Sequence, residues 1–171
     1  SRLLDILRIL VFDRKMDAQL LIVGEGHLQE ALCSKAAALS LEDRVVFTGS
    51  LDDVASALCA MDLFVLPSLY EGLGIVNIEA QAAGLPILVS DNVPDEARMG
   101  DHFHKLSLSA SDAQWADQIL KIKPLSKEER SASQHIESIQ KKGYDLSTAA
   151  WELEKYYRMI SSHTAIRKAC G

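Results

Sequence analysis

The sequence is poor in the features that mark several classes of protein. Its three cysteines, Cys33, Cys59 and Cys170, form no CxxC pair and join no His/Cys cluster at metal-ligand spacing. Scattered thiols are typical of a reducing compartment, so we expect a cytoplasmic location and no metal. No apolar run approaches the roughly 18 residues of a membrane span. The formal net charge of -6 lacks the basic excess of a nucleic-acid binder, so no nucleic-acid partner is expected.

What is present fits one ordinary globular domain. The 171 residues are enough for a proper core, and 48% of them are hydrophobic and 25% charged, as in average soluble domains. The first residues, SRLLDILRILVF, read as a helix already under way, which is expected of a piece of a longer protein. The basic residues of this region, Arg2, Arg8, Arg14 and Lys15, are interpreted as solvated surface charges.

Short aliphatic runs alternate with helical patterns along most of the chain. Strands are predicted at residues 18–26, 44–50, 62–68 and 84–91, with a weaker one at 103–108. Helices are predicted between them, and three more follow at 111–122, 126–142 and 145–163. Nearly all-apolar strands indicate a parallel sheet covered on both faces. The predicted fold class is therefore α/β, a Rossmann-like doubly wound parallel sheet with C-terminal helices.

In such a sheet, ligands bind beyond the carboxyl ends of the strands. The first of these ends carries Gly24 and Gly26 in a turn that opens a helix. One interpretation is a turn that lets the backbone approach a nucleotide phosphate. The alternative is a tight turn from strand to helix that simply needs small residues. A dinucleotide fingerprint would need a third glycine where Gln29 stands, so a nicotinamide cofactor is not favoured.

Two glutamates, Glu71 and Glu79, stand in the otherwise apolar stretch 69–86, which reads LYEGLGIVNIEAQAAGLP. Gly72 and Gly74 would let the backbone approach a ligand, and a helix beginning near Gly74 would direct N–H groups at an anion. A helical path between the two glutamates covers roughly 12 Å at most, about the reach across a diphosphate between two hydroxylated rings. The spacing predicts a nucleotide diphosphate sugar site; the alternative is two glutamates in water.

These motifs together resemble a known family. The stretch LPSLYEGLGIVNIEAQAAGLPILVSD is similar to the signature of retaining glycosyltransferases of the GT-B fold, family 4, also called glycosyl transferases group 1. LLIVGEGHLQEAL and LEDRVVFTGSLDDV resemble the family's glycine turn and nucleotide-base region. The resemblance covers roughly residues 18–98, and SDNVPDEA resembles members that build capsule and exopolysaccharide.

The resemblance implies a role for each matching residue. Glu79 would bind the ribose hydroxyls, and Glu71, the catalytic residue, would contact the donor sugar. Thr48 and Leu51 would edge the base, and Gly24 would lie close to the nucleotide. The backbone amides that would hold the sugar and the distal phosphate belong to Gly72, Leu73, Gly74 and Ile75.

The resemblance also implies an activity and partners. The protein would transfer a sugar with retention, without cofactor or metal, from a nucleotide diphosphate sugar, with a UDP-sugar as the favoured donor. The acceptor, a glycan or a lipid-linked sugar, would bind an N-terminal domain that these residues lack, at the periphery of the membrane. The family's first strand and its Arg and Lys motif would also lie upstream, so residues 1–171 would form a single donor-binding domain, inactive alone.

Two other functions remain open from the residues themselves. One is a nucleotide-sugar epimerase on the same scaffold, which would need an acid/base pair from two domains. The other is a non-catalytic module that binds a nucleotide sugar. The two glutamates with seven residues between them favour the transferase.

Overall fold

The computed structural model of the protein describes residues 2–131 and 134–169. The strands are β1 (Leu20–Val23), β2 (Val45–Gly49), β3 (Phe64–Leu66), β4 (Ile87–Ser90) and β5 (Phe103–Leu106). The helices are α1 (Arg2–Arg8), α2 (Gln29–Ala38), α3 (Val54–Cys59), α4 (Ile75–Ala82), α5 (Asp112–Lys121), α6 (Lys127–Arg130), α7 (Gln134–Lys141) and α8 (Leu146–Ala169). Cys33 and Cys59 are exposed free thiols, and Cys170 lies outside the described residues.

The predicted strands all form, and every pairing between them is parallel. They do not form one continuous sheet, however. β1 pairs with β2, while β3, β4 and β5 form a second sheet in that order. β4, the middle strand of the second sheet, is buried along its whole length. The prediction of a parallel α/β fold is confirmed, with its sheet divided in two.

The first helix packs against both sheets. Leu4 and Leu7 of α1 join a core cluster with the β1–β2 sheet and α2. Ile6, and Leu10 in the π-helical turn Ile9–Asp13 that continues α1, join a second cluster with Leu88 of β4 and α5. Since neighbouring residues of a helix point to different sides, the apolar side chains of this one helix pack into two cores.

Arg2 is a structural contact rather than a solvated charge. Its guanidinium donates to a carboxylate oxygen of Asp112 at 2.8 Å and to the carbonyl oxygens of Leu108 and Ala110, and it lies over the ring of the buried Trp115. These partners follow β5 or begin α5. The interpretation of Arg2 as a solvated surface charge was therefore wrong. The sequence did not reveal these contacts because the partners of Arg2 are more than 100 residues away.

The C-terminal helices differ from the prediction in one place. Ser111 caps α5, which begins where the sequence predicts a helix, with a complete capping box. The single charged helix predicted over 126–142 is instead two helices, α6 and α7, with Ser131 in a turn. α8 carries exposed aromatic side chains at Trp151, Tyr156 and Tyr157.

α4 ends in a tight turn that α6 covers. Gly84 has φ +71°, its N–H bonds to the carbonyl of Gln81, and the N–H of Leu85 bonds to that of Ala80, which is the Schellman arrangement. A Cβ on Gly84 would lie 2.6 Å from the backbone oxygen of Arg130. The Arg130 guanidinium donates in turn to the carbonyl oxygens of Met61, Leu58, Cys59 and Ala83.

We therefore expect Gly84→Ala to destabilise the protein. The left-handed backbone alone costs a residue with a Cβ about 1–2 kcal/mol, and the contact with Arg130 adds to this. The expected fall in melting temperature is roughly 2–8 °C or more by calorimetry. The matched control is Gly100→Ala, because a Cβ there meets nothing within 4 Å. Equal melting temperatures for the two variants would contradict the packing described.

Two buried amide side chains on α4 differ in their hydrogen bonding. The Gln81 side chain donates to the carbonyls of Asn77 and Ala97 and accepts from the N–H of Met99, each at 2.8 Å. The Asn77 side chain is fully buried, yet neither atom of its carboxamide has a hydrogen-bond partner among the described residues. A buried amide without partners costs about 1–3 kcal/mol, whereas a paired one stabilises.

Leucine at these two positions should therefore act in opposite directions. We expect Asn77→Leu to leave the free energy of unfolding unchanged or to raise it by about 1 kcal/mol, since it removes an unpaired polar group. Gln81→Leu should lower it by about 2–3 kcal/mol, since it removes the side-chain partner of the buried carbonyl of Ala97 and of the N–H of Met99. Urea denaturation measures both. A large loss of stability in Asn77→Leu would show that its carboxamide has partners.

Candidate functional site

The glycine turn after β1 and the loop after β2 are bonded to each other. The N–H of Gly24 donates to the carbonyl of Gly49 at 2.8 Å, and the Glu25 carboxylate accepts from the N–H of Ser50 at 3.2 Å. Gly24 has φ +120°, which favours glycine, and a Cβ there would meet nothing within 4 Å. The structure thus brings together two segments that the sequence predicted to lie at one edge, and backbone conformation accounts for Gly24.

The hydroxyl of Thr48 is already engaged. It donates a hydrogen bond to the carbonyl oxygen of Gly49 at 2.9 Å. Thr48 lines neither of the two depressions described below. Leu51, by contrast, is half-buried and lines the larger one. Of the two residues expected at the base, Leu51 is therefore the one whose side chain borders open space.

The loop between β3 and α4 is held by polar residues at the carboxyl end of β4. The Ser90 hydroxyl donates to the carbonyl of Ser68, and the Asn92 amide donates to that of Leu69, both at 2.7 Å. Tyr70, next along the loop, is 93% exposed. The sequence did not predict these bonds. Their signal is the placement of Ser90 and Asn92 directly after the apolar run at residues 87–89.

The amino end of α4 has no side-chain cap. Its N-cap is Gly74 with φ +63°, and a Cβ there would lie 2.5 Å from Nδ2 of Asn77 and 3.0 Å from Cγ of Glu71. Glycine is thus required at 74 by backbone and packing. At Gly72 a Cβ would meet nothing within 4 Å, so packing does not require glycine there. The helix begins at Ile75 as predicted, and its first N–H groups lack an intrahelical acceptor.

The two glutamates lie in separate depressions. Glu79 is exposed on α4 and lines a cavity of about 1030 Å³ together with Gly24, Leu51 and Val76. Glu71 is half-buried and lines a smaller depression of about 590 Å³, whose other residues are Leu69, Tyr70, Gly72 and Asn92. Leu73 packs inward against the core around β4. The two carboxylates therefore face two different depressions, Glu79 the larger one and Glu71 the smaller one.

The charges at this edge are acidic. In the part of the chain that the structure describes, no lysine or arginine lines either depression. The Ser107 hydroxyl and the N–H of Leu108 donate to Asp91 after β4, and they hold the pKa of its carboxyl below the usual range. The Ser56 hydroxyl and N–H do the same to the pKa of Asp53. Positive potential at this edge therefore comes from backbone N–H groups and the dipole of α4.

Neither a cluster of metal ligands nor a membrane-spanning helix is found in the described ranges. Residues 2–131 and 134–169 contain no group of three or more His, Cys, Asp or Glu side chains arranged to hold a metal ion. None of the helices in these ranges combines the length and apolar character that crossing a membrane requires.

The sequence of the chain is similar to those of known proteins. The model of a family described as glycosyl transferases group 1 matches residues 2–123. The putative glycosyltransferase EpsF of Bacillus subtilis is 31% identical over 148 residues, which are 86% of this chain and 38% of that protein. The UDP-Gal:alpha-D-GlcNAc-diphosphoundecaprenol alpha-1,3-galactosyltransferase of Escherichia coli is 40% identical over 76 residues, 44% of this chain and 20% of the relative.

A solved structure resembles the fold as well. Alr3699/HepE of Anabaena, crystallised with UDP-glucose, superimposes with a TM-score of 0.66 at 18% identity, covering 94% of this chain and 44% of that one. The chain thus spans well under half the length of these proteins. The family match covers more than two thirds of the chain and confirms the resemblance found in the sequence. The chain belongs to the glycosyl transferases group 1 family.

Proposed function

We propose that residues 1–171 bind the donor, a nucleotide diphosphate sugar, for a retaining glycosyltransferase. One observation carries the proposal: Glu71 precedes the uncapped amino end of α4 and Glu79 follows it in the chain, and each carboxylate lines a depression. An anion suits the helix start, and hydroxyl groups suit the carboxylates. A nucleotide diphosphate sugar has hydroxyls on both sides of its diphosphate.

Glu79 is suited to the ribose. Its carboxylate is an acceptor only, so it can take hydrogen bonds from two neighbouring hydroxyls. It shares its cavity with Gly24 and Leu51, which come from the other sheet. A ribose on Glu79 would therefore leave the base to reach the loop that contains Thr48 and Leu51. UDP is the favoured nucleotide, and the UDP-glucose complex of HepE supports that choice.

Glu71 is suited to the donor sugar as the catalytic residue. It lies three residues before the N-cap of α4, in a depression that also contains the Asn92 amide bonded to Leu69. In the transfer, the bond from the anomeric carbon to the diphosphate breaks, a bond to the acceptor oxygen forms on the same face, and the proton of the acceptor hydroxyl passes to the departing diphosphate. The departing diphosphate gains negative charge, which the N–H groups around Gly72, Leu73, Gly74 and Ile75 would stabilise.

The acceptor and the place of reaction complete the proposal. The E. coli relative is named for an acceptor that is a lipid-linked sugar, and another relative, from Salmonella typhi, is a Vi polysaccharide biosynthesis protein. We propose an acceptor of this kind, a glycan or lipid-linked sugar, held by a further domain at the cytoplasmic face of a membrane. Residues 1–171 alone would bind nucleotide weakly and transfer nothing.

Calorimetric titration of residues 1–171 with UDP, GDP and ADP tests the donor site. We expect millimolar UDP to bind, and Glu79→Ala to weaken that binding roughly tenfold to a hundredfold, since hydrogen bonds to a charged group contribute about 1.5–3 kcal/mol. The matched control is Glu152→Ala on the exposed face of α8. Absence of heat with all three nucleotides, or equal affinity in both variants, would refute the assignment.

A further inference from the structure

Asn77 on α4 carries a buried polar group that lacks a partner. Its residue is fully buried, and neither Nδ2 nor Oδ1 takes part in a hydrogen bond within the described residues. Buried polar side chains are nearly always hydrogen-bonded, so an exception needs an explanation. Gln81, four residues later on the same face and also buried, makes three hydrogen bonds. The missing partner is therefore particular to position 77 and is not a property of this face of the helix.

The backbone of Asn77 is held at both of its polar groups. Its N–H donates to the carbonyl of Gly74 at 2.8 Å, in the first turn of α4, and its carbonyl accepts from the Gln81 amide at 2.8 Å. The side chain is enclosed by the protein as well. Asn77 therefore has little freedom to move towards a partner. The partner has to be a neighbouring side chain that can move towards Asn77.

Glu71 is the neighbour that meets this requirement. A Cβ on Gly74 would lie 2.5 Å from Nδ2 of Asn77, 3.0 Å from Cγ of Glu71 and 3.1 Å from its Cδ. The amide and the carboxylate side chain thus adjoin the same small space, which stays open because residue 74 is glycine. Glu71 is half-buried, and within the described residues its carboxylate is in no hydrogen bond or ion pair.

The two groups are chemically complementary. Nδ2 of a carboxamide carries two N–H donors, and a carboxylate accepts through two oxygens. Among the described residues, no lysine or arginine lines the depression that Glu71 borders, so the carboxylate has no cation beside it there. A hydrogen bond to an ionised acceptor is about twice as strong as one between neutral groups. Rotation of the flexible Glu71 side chain would bring one oxygen to the amide across the space at Gly74.

A bound sugar would give Glu71 a reason to make this bond. In the open depression, water hydrates both oxygens of the carboxylate. A sugar displaces part of that water, so one oxygen accepts from a sugar hydroxyl and the other needs a new donor. Nδ2 of Asn77 supplies that donor from the protein side. A carboxylate held by donors on both sides keeps one orientation towards its ligand.

We propose that Asn77 is a positioning residue, whose Nδ2 donates to the Glu71 carboxylate when the donor sugar is bound and fixes the orientation of that carboxylate. This inference rests on the proposed function, because it concerns the sugar end of the same site. It also explains why a destabilising group stands on α4. The amide lacks its partner in the free protein and gains one in the complex, which is a stability cost of the kind that functional sites carry.

NMR titrations of residues 1–171 with UDP-glucose and with UDP, at millimolar concentrations, test the role of Asn77. We expect Asn77→Leu to weaken UDP-glucose binding roughly fivefold to tenfold and to change UDP binding less than about twofold, since UDP has no sugar at Glu71. Stability in urea should not fall, whereas a purely structural role would reduce stability and weaken both ligands alike.

The matched control is Gln140→Leu, which replaces an exposed amide on α7. It should change the affinity for neither ligand. Equal UDP-glucose affinity in Asn77→Leu and in this control would overturn the proposal.

Two further measurements test the contact itself. In a Glu71→Ala background, Asn77→Leu should cause no further loss of UDP-glucose affinity, because the acceptor is already gone; an undiminished second loss would overturn the contact. In the unsubstituted chain, the side-chain amide protons of Asn77 should shift and exchange more slowly with saturating UDP-glucose, and not with UDP. Unchanged amide signals would overturn the contact without any substitution.

Failure of this inference is distinguishable from failure of the proposed function. If Glu79→Ala weakens UDP binding while Asn77→Leu leaves UDP-glucose binding unchanged, the role of Asn77 alone is refuted. If Glu71→Ala leaves UDP-glucose binding unchanged, the sugar subsite is refuted together with the role of Asn77. If UDP does not bind, the whole donor assignment fails and this inference fails with it.

Discussion

The packing of α1 against two cores is the constraint on which the rest of the structure depends. The two sheets share no strand ladder in the described residues, so side chains must set their relative position. Leu4 and Leu7 pack with the first sheet, and Ile6 and Leu10 pack with the second. Arg2 then fixes the amino end of α1 beside α5 through three hydrogen bonds. The geometry of any site between the sheets follows from this one short helix.

The candidate donor site uses that geometry directly. Gly24 and Leu51 lie after strands of the first sheet, and Glu79 lies on α4, which connects two strands of the second. All three residues line one cavity. On the other side of α4, Glu71 depends on a loop that Ser90 and Asn92 hold against β4. The loop that contains Glu71 is therefore held by local hydrogen bonds, whereas the surroundings of Glu79 depend on the relative position of the two sheets. A sugar subsite would depend on local bonds, and a ribose subsite on the packing of α1.

The sequence could predict what depends on local pattern. Aliphatic runs located all five strands, and a change to helical spacing located the helix that begins after Ser111. Long-range pairing was not predictable in this way. Nothing near Arg2 signals that its partners follow β5, and the division into two sheets depends on which edges meet.

The candidate site shows the same division between local and long-range information. Gly74 was placed at the start of α4 because a glycine ends the loop there, and the structure adds the reason: a Cβ would collide with the Asn77 amide. The buried, unpartnered carboxamide of Asn77 was not predictable, because alternation of apolar residues along a helix does not reveal whether a polar neighbour finds a partner.

The exposure of Glu79 sharpens the meaning of its apolar surroundings. Asn77, Ile78, Ala80 and Gln81 are buried, so α4 has little surface left for a charge. Ile75, one turn earlier on the same face, is 69% exposed, and Glu79 is exposed beside it. The exposed residues of α4 are thus Ile75, Glu79 and Ala82, and of these Glu79 lines the large cavity. Contact with water alone would allow any polar side chain at position 79. A ligand with hydroxyl groups would need a hydrogen-bond acceptor there, and it would also have to pack against the apolar side chain of Ile75. Under the proposed function, a ribose would offer C–H groups of its ring to Ile75 and two hydroxyls to Glu79.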